Sequence, residues 1–266
     1  MRVPVAARIL VLLLVALLGA AACAPADPPA HATPLPRWTP GTGQRWQIQL
    51  GGTIDESMNV TYYDLDPVTT PQDTVHAIAA GNHRMICHLD IDVVDEAMPD
   101  AVMVRSDVVG TAAGPGLRWL DIRAWARVKS VVRDGLDLCK TKGFQGVDAD
   151  MADGYAYRTG FDLTVADQRA YDLAVIAMAH DMGLDIAVRT MPDLVAAVEP
   201  SANFAVVAGC AQAGTCEDYR PYVAHGKVVL DVETLQPAAF CPRTLYYRFA
   251  AIGKPDGLTS SALTSC

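Results

Sequence analysis

Short apolar and β-branched runs recur along the chain from residue 38 onward, and the segments between them follow a different period. Bounded by turn residues, these runs predict strands at 45–50, 60–63, 84–89, 119–122, 145–149, 184–188, 204–207 and 227–231. Residues 71–80, 124–142 and 165–182 predict helices, the last with Leu173, Ile176 and Ala177 at helical spacing. Strands alternating with helices point to a parallel sheet. Eight such units within residues 38–266 predict a single-domain α/β fold, a closed (β/α)8 TIM barrel. An open, doubly wound sheet shares the alternation, but no G-x-G-x-x-G or Walker sequence supports a nucleotide-binding version of it.

The N-terminal pattern is different. Arg2 and Arg8 precede a ten-residue apolar run, Ile9 to Leu18, and Gly19 to Ala22 supply small residues before Cys23. Ten residues at 1.5 Å each cannot cross a bilayer core of about 30 Å. Residues 1–22 therefore read as an export signal peptide, and Cys23 as a lipidation site that would tether the protein to a membrane. Residues 24–37 contain five prolines and no apolar period, so 23–37 reads as an extended tether and 38–266 as the folded domain.

Composition changes this picture in one respect. The 266 residues carry 21 Lys and Arg against 30 Asp and Glu, a formal charge of -9. Removing residues 1–22 takes away Arg2 and Arg8 and no acid, which brings the charge to -11. No basic block is present, which argues against a nucleic-acid partner and favours neutral or cationic ones. Without Cys23, six cysteines remain, an even number suited to an oxidising compartment. Six allow 15 pairings. Cys210 with Cys216 is the most local, Cys241 with Cys266 would pin the C-terminus, and Cys87 with Cys139 would be left. No C-x-x-C or H-x-x-x-H spacing points to a metal, and no cofactor is expected.

In a barrel, reactive groups stand at the C-terminal ends of the strands. Those ends carry Asp64 and Asp66, Asp90 and Asp92, Asp121 and Arg123, Asp148, Asp150 and Asp153, Arg189, and Asp231 and Glu233. One aspartate at a strand end is an ordinary turn residue. Acids at five strand ends would concentrate charge on one face and separate the pKa values of neighbours, as acid/base hydrolysis of a glycosidic bond requires.

Several motifs in order carry a resemblance. Trp46-Gln47-Ile48-Gln49-Leu50-Gly51, Tyr63-Asp64-Leu65-Asp66, Ile86-Cys87, Trp119-Leu120-Asp121-Ile122-Arg123 and Gly146-Val147-Asp148-Ala149-Asp150, with Asp153-Gly154-Tyr155, resemble the successive motifs of the endo-α-1,4-polygalactosaminidase family of glycoside hydrolases. The resemblance implies an exported, monomeric barrel enzyme that hydrolyses galactosamine-containing polysaccharide with two carboxylates. It implies Asp150 as a catalytic carboxylate; beside it, from their places at the strand ends, Asp64, Asp66, Asp148, Asp153, Tyr155, Arg189 and Glu233 are the candidates for binding substrate. The sequence also departs from the family pattern. Ala208-Gly209-Cys210 stands where glutamate-glutamine-cysteine is expected, and His88 to Asp92 replace a tyrosine followed by small residues. An alanine donates no proton, so a carbohydrate-binding protein on the same barrel, impaired in catalysis, is the alternative expectation.

Overall fold

A computed structural model of the chain describes residues 38, 44–96, 104, 106–255 and 257–266. The expected signal peptide, Cys23 and the 23–37 tether lie outside the described residues. The strands are β1 (Trp46–Gln49), β2 (Tyr62–Leu65), β3 (Arg84–Asp90), β4 (Val93–Asp95), β5 (Val109–Gly114), β6 (Leu117–Leu120), β7 (Gly146–Asp150), β8 (Asp185–Val188), β9 (Ala205–Ala208), β10 (Val229–Glu233), β11 (Ala250–Gly253) and β12 (Thr264–Ser265). The helices are α1 (Gln72–Ala80), α2 (Trp125–Lys142), α3 (Val165–Asp181), α4 (Val195–Val198), α5 (Cys210–Ala213), α6 (Arg220–Ala224) and α7 (Pro237–Tyr246).

Eight of the strands form the barrel. β1-β2-β3-β7-β8 and β9-β10-β11 are two runs of parallel strands. At the seam between β8 and β9, Asn203 N donates to Ile186 O at 2.8 Å and Ile186 N to Asn203 Oδ1 at 2.9 Å. Across the other seam, Leu50 N donates to Leu258 O at 2.7 Å, and the buried Lys254 Nζ donates to Gln47 Oε1 at 3.0 Å.

Two expectations are corrected. The run at 119–122 belongs to no barrel strand: β6 pairs antiparallel with β4 and β5 in a three-stranded sheet inserted between β3 and α2. Asp121 and Arg123 pair with each other there, at 2.7 Å, away from any barrel strand end. The eighth barrel strand is instead β11, whose Ala-Ala-Ile-Gly sequence has too few β-branched or aromatic residues to announce a strand. The observed β7 is thus the fourth barrel strand and β10 the seventh.

Alternation along each strand divides the core into two layers. Trp46, Ile48, Tyr62, Ile86, Ala187, Phe204, Val206, Leu230, Val232, Ala250 and Ile252 fill the barrel interior, while Tyr63, Leu65, Cys87, Val147, Ala149, Ile186, Val188 and Val207 meet the helices. Trp38 closes one end of the interior, stacked on Phe204 at 4.0 Å and donating from Nε1 to Asp185 at 2.6 Å. Three disulfides secure the outside: Cys87–Cys139 ties β3 to α2, Cys210–Cys216 closes the turn around α5, and Cys241–Cys266 fixes the C-terminus to α7.

Helix α3 buries two polar residues along with its apolar ones. Its buried residues are Gln168, Tyr171, Asp172, Val175, Ile176 and Ala179, whereas Ala177 is exposed. The two polar members meet the insert. Gln168 Nε2 donates to Asp172 at 2.9 Å and to Asp92 at 3.2 Å, and Asp92 accepts from Gly154 N at 3.0 Å. A Cβ on Gly154 would come within 2.9 Å of Asp92 Oδ2, so the loop after β7 approaches this closely only with glycine. Burial pushes the Asp172 carboxyl up to about 8 and Asp92 well above its ordinary value.

This cluster has a stability signature. Between 3.8, the ordinary value, and about 8, folded Asp172 keeps a proton that the unfolded chain releases, so its contribution to stability falls as pH rises through that window. Asp172→Asn keeps a polar side chain of the same shape without the titration. Urea unfolding at intervals from about pH 4 to 8 is expected to show a shallower decline in the variant than in the wild type.

Candidate active site

The interior changes character at the C-terminal end of the strands. Below it the inward residues are mostly apolar, from Ile86 and Ala187 to Leu230; at the top they are Asp64 on β2, His88 and Asp90 on β3, Asp148 and Asp150 on β7, and Arg189 directly after β8. Register places them side by side. His88 is opposite Asp148 and Asp90 opposite Asp150, and Arg189 N donates to Ala149 O at 2.9 Å.

Arg189 organises the group. Its Nε donates to both oxygens of Asp148, at 3.0 and 2.9 Å, and its Nη2 also bonds Asp148 Oδ2. Nη1 lies 3.1 Å from Asp150 Oδ2, and Nη2 3.8 Å from Asp64 Oδ2. His88 Nδ1 bonds Asp148 Oδ2 at 3.2 Å, which turns Nε2 toward Asp150 at 3.5 Å and Asp90 at 3.9 Å. Burial opposes charge on Asp148, but Arg189 and His88 outweigh it and hold that carboxyl well below the usual range. Asp64, buried beside the charged Asp148, is driven the other way, its carboxyl raised well above the usual range.

Asp150 is fixed on both sides and still reaches solvent, its side chain 29% exposed. Arg189 holds Oδ2, and Oδ1 accepts from Met151 N at 2.7 Å. Met151 adopts φ 55, a left-handed conformation uncommon for a residue with a side chain. Strain of that kind at the residue after a presented carboxylate belongs to a site that over-determines its geometry.

The remaining expected residues separate. Asp153, half-buried beside Asp150, is raised to about 6, first by burial and then by the Asp150 charge. Tyr155 donates to Asp193 at 2.6 Å and joins the loops after β7 and β8. Tyr157 stacks on Trp119 at a centroid distance of 5.2 Å and is largely exposed. Asp66 is engaged in its own turn, accepting from Val68 N at 2.9 Å, Thr69 N at 2.6 Å and Thr69 Oγ1 at 2.9 Å.

Glu233 requires a correction. Along β10 the inward residues are Leu230 and Val232, so Asp231 and Glu233 point to the helix layer. Both are fully buried, with Glu233 accepting from Ala211 N at 2.6 Å and Asp231 from Cys210 N at 3.4 Å. Glu233 holds the turn after β9 and does not line the mouth. Ala208, at the end of β9, is exposed. His88 and Asp90 also belong to the site, and the alternation of Arg84, Ile86, His88 and Asp90 on one face of β3 is the signal in the sequence that points to them.

Three groups bring possible metal ligands within 4.8 Å among the described residues: Asp64, His88 and Asp148; His88, Asp90 and Asp150; and Cys210, Asp231 and Glu233. The first two already surround the Arg189 guanidinium, which supplies the positive charge there. In the third, the Cys210 sulfur is committed to a disulfide.

A parallel eight-stranded barrel with paired carboxylates at its C-terminal mouth defines the class of barrel glycoside hydrolases. Residues 27–255 match the profile of glycoside-hydrolase family GH114, and the chain belongs to that family. It is similar to the crystal structure of Aspergillus fumigatus Ega3 in complex with galactosamine, with 26% identity, a TM-score of 0.78, and coverage of 86% of this chain and 97% of that one. The glycoside hydrolase domain of PelA from Pseudomonas aeruginosa shares the fold at 11% identity and TM-score 0.64, covering 85% of this chain and 98% of its own. An α-galactosidase from Thermus thermophilus does so at 15% and 0.53, covering 85% and 60%. No curated protein sequence matches significantly.

Because Asp148 is buried with its cation, removing that cation alone leaves an uncompensated charge. Arg189→Met is expected to cost about 3–5 kcal/mol in urea unfolding, and adding Asp148→Leu to recover most of it. Equal destabilisation in the single and double variants would contradict this pairing.

Proposed function

We propose that this protein is an exported glycoside hydrolase that cleaves α-1,4-linked, galactosamine-containing polysaccharide, with Asp150 as a catalytic carboxylate. The observation that carries the reading is the presentation of Asp150: clamped by Arg189 and Met151 N, at the barrel mouth, with an exposed edge. Family membership and the galactosamine held by Ega3 support the substrate class. So does charge, since Asp90, Asp150 and Asp153 rim the mouth and a polymer of amino sugars is cationic. Asp64 and Asp148 act from beneath by fixing Arg189 and His88, while Tyr155 and the Trp119–Tyr157 pair border the entrance. Three disulfides suit an oxidising compartment, and Cys23 would carry the lipid that tethers the domain.

Ala208 favours a second reading, a barrel that binds this polymer without cutting it. Reducing-end release from α-1,4-galactosamine polymer separates the two. The wild-type domain is expected to generate new ends, and Asp150→Asn to lose about 10³-fold in rate while still binding the polymer. Saturable binding without new ends from the wild type would establish the second reading instead.

A further inference from the structure

Hydrolysis at this mouth needs a second carboxyl group, one that carries a proton and reaches the glycosidic oxygen. Asp64, Asp148, Asp231 and Glu233 are fully buried and bear on protein groups. Asp66 caps its own turn. Ala208 offers a methyl group. Asp90 differs from all of these: its side chain is 33% exposed, and among the described residues it forms no hydrogen bond. It lines an open groove beside the mouth with His88, Asp66 and Val68.

Asp90 also stands in the right relation to Asp150. The two residues are direct partners across β3 and β7, and an oxygen of each, with a ring nitrogen of His88, lie within 4.8 Å of one another. Carboxyl groups about 5–5.5 Å apart characterise retaining glycosidases, whereas inverting ones separate them by about 6.5–9.5 Å. Their surroundings differ. Asp150 is paired at 3.1 Å with the Arg189 guanidinium, while among the described residues the ion-pair contact of Asp90 is with the His88 ring, Nε2 at 3.9 Å. Burial, with the charges of Asp150 and Asp148, raises the Asp90 carboxyl, against the pull of His88 and Arg189.

We propose that Asp90 is the proton donor of a retaining pair with Asp150, a catalytic role supplied by β3 where β9 ends in Ala208. Asp90 passes its proton to the glycosidic oxygen as the bond from C1 to that oxygen breaks, and Asp150 Oδ2 bonds to C1. The Asp90 carboxylate then takes a proton from water, whose oxygen attacks C1 and releases Asp150. The proposal rests on the hydrolase reading above.

The test compares wild type, Asp90→Asn, Asp90→Glu and Asp153→Asn on two substrates: α-1,4-galactosamine oligosaccharide, and 2,4-dinitrophenyl α-galactosaminide, whose leaving group needs no proton. Asp90→Asn is expected to fall about 10²–10⁴-fold on the oligosaccharide. On the aryl substrate it should keep a stoichiometric burst of dinitrophenolate, be accelerated by azide, and yield the α-configured azide. Its oligosaccharide profile should also lose the alkaline limb that the wild type shows. Asp90→Glu, which retains an acid, should recover part of the rate, and this keeps the test decisive should Asp90→Asn melt early. Wild-type rates in Asp90→Asn, or these signatures in Asp153→Asn instead, would overturn the assignment while leaving the hydrolase reading intact. A wild type inert on both substrates would overturn both.

Discussion

Everything at the mouth of this barrel depends on one buried guanidinium. Arg189 stands where a barrel ordinarily places its uppermost apolar layer, and it is tolerable there because Asp148 meets it with both oxygens. Once that pair is set, the others have little freedom. Asp64 sits buried beside Asp148, His88 directs Nδ1 at the same carboxylate, and Asp150 leans toward the remaining face of Arg189. The desolvation cost of the buried pair is offset only while Arg189 and Asp148 are both present. The apolar residues beneath, from Ile86 and Ala187 to Val206 and Leu230, contribute the stability that lets such a layer persist.

How far the amino-acid sequence discloses this varies by element. Seven of the eight barrel strands and helices α1, α2 and α3 are visible because apolar periodicity controls them. The Trp119-Leu120 run was misassigned because strand-forming residues say nothing about the partner: β6 has the composition of a barrel strand but pairs antiparallel. β11 was missed because its residues are small, and what holds it is pairing to β10. On α3, Ile176 is buried and Leu173 packs on the core as the spacing predicts, but Gln168 and Asp172 are buried too, Gln168 bonding Asp92 seventy-six positions away. Local pattern cannot report such a partner.

The site follows the same division. Asp150, Asp148 and Arg189 stand at strand ends and are found by counting to where strands stop. Glu233 was placed at the mouth by the same counting, yet period two decides which way a side chain points. With Leu230 and Val232 inside, Glu233 has to face the helices. His88 and Asp90 were legible in principle, because Arg84, Ile86, His88 and Asp90 alternate on one face, but only a known register shows that this face meets Asp148 and Asp150.

The seam between the first and last barrel strands bears on how the molecule comes into being. Gln47 on β1 donates to Ser261 O across 214 positions and accepts from Lys254 Nζ across 207. Such contacts close very long loops and form late. Synthesis delivers β1 first, but the groups that seal it arrive with the final residues, so a chain in transit holds an open sheet with its polar edge unsealed. The Cys241–Cys266 disulfide encloses Lys254 and Ser261, so both of these partners of Gln47 lie within one covalently closed loop.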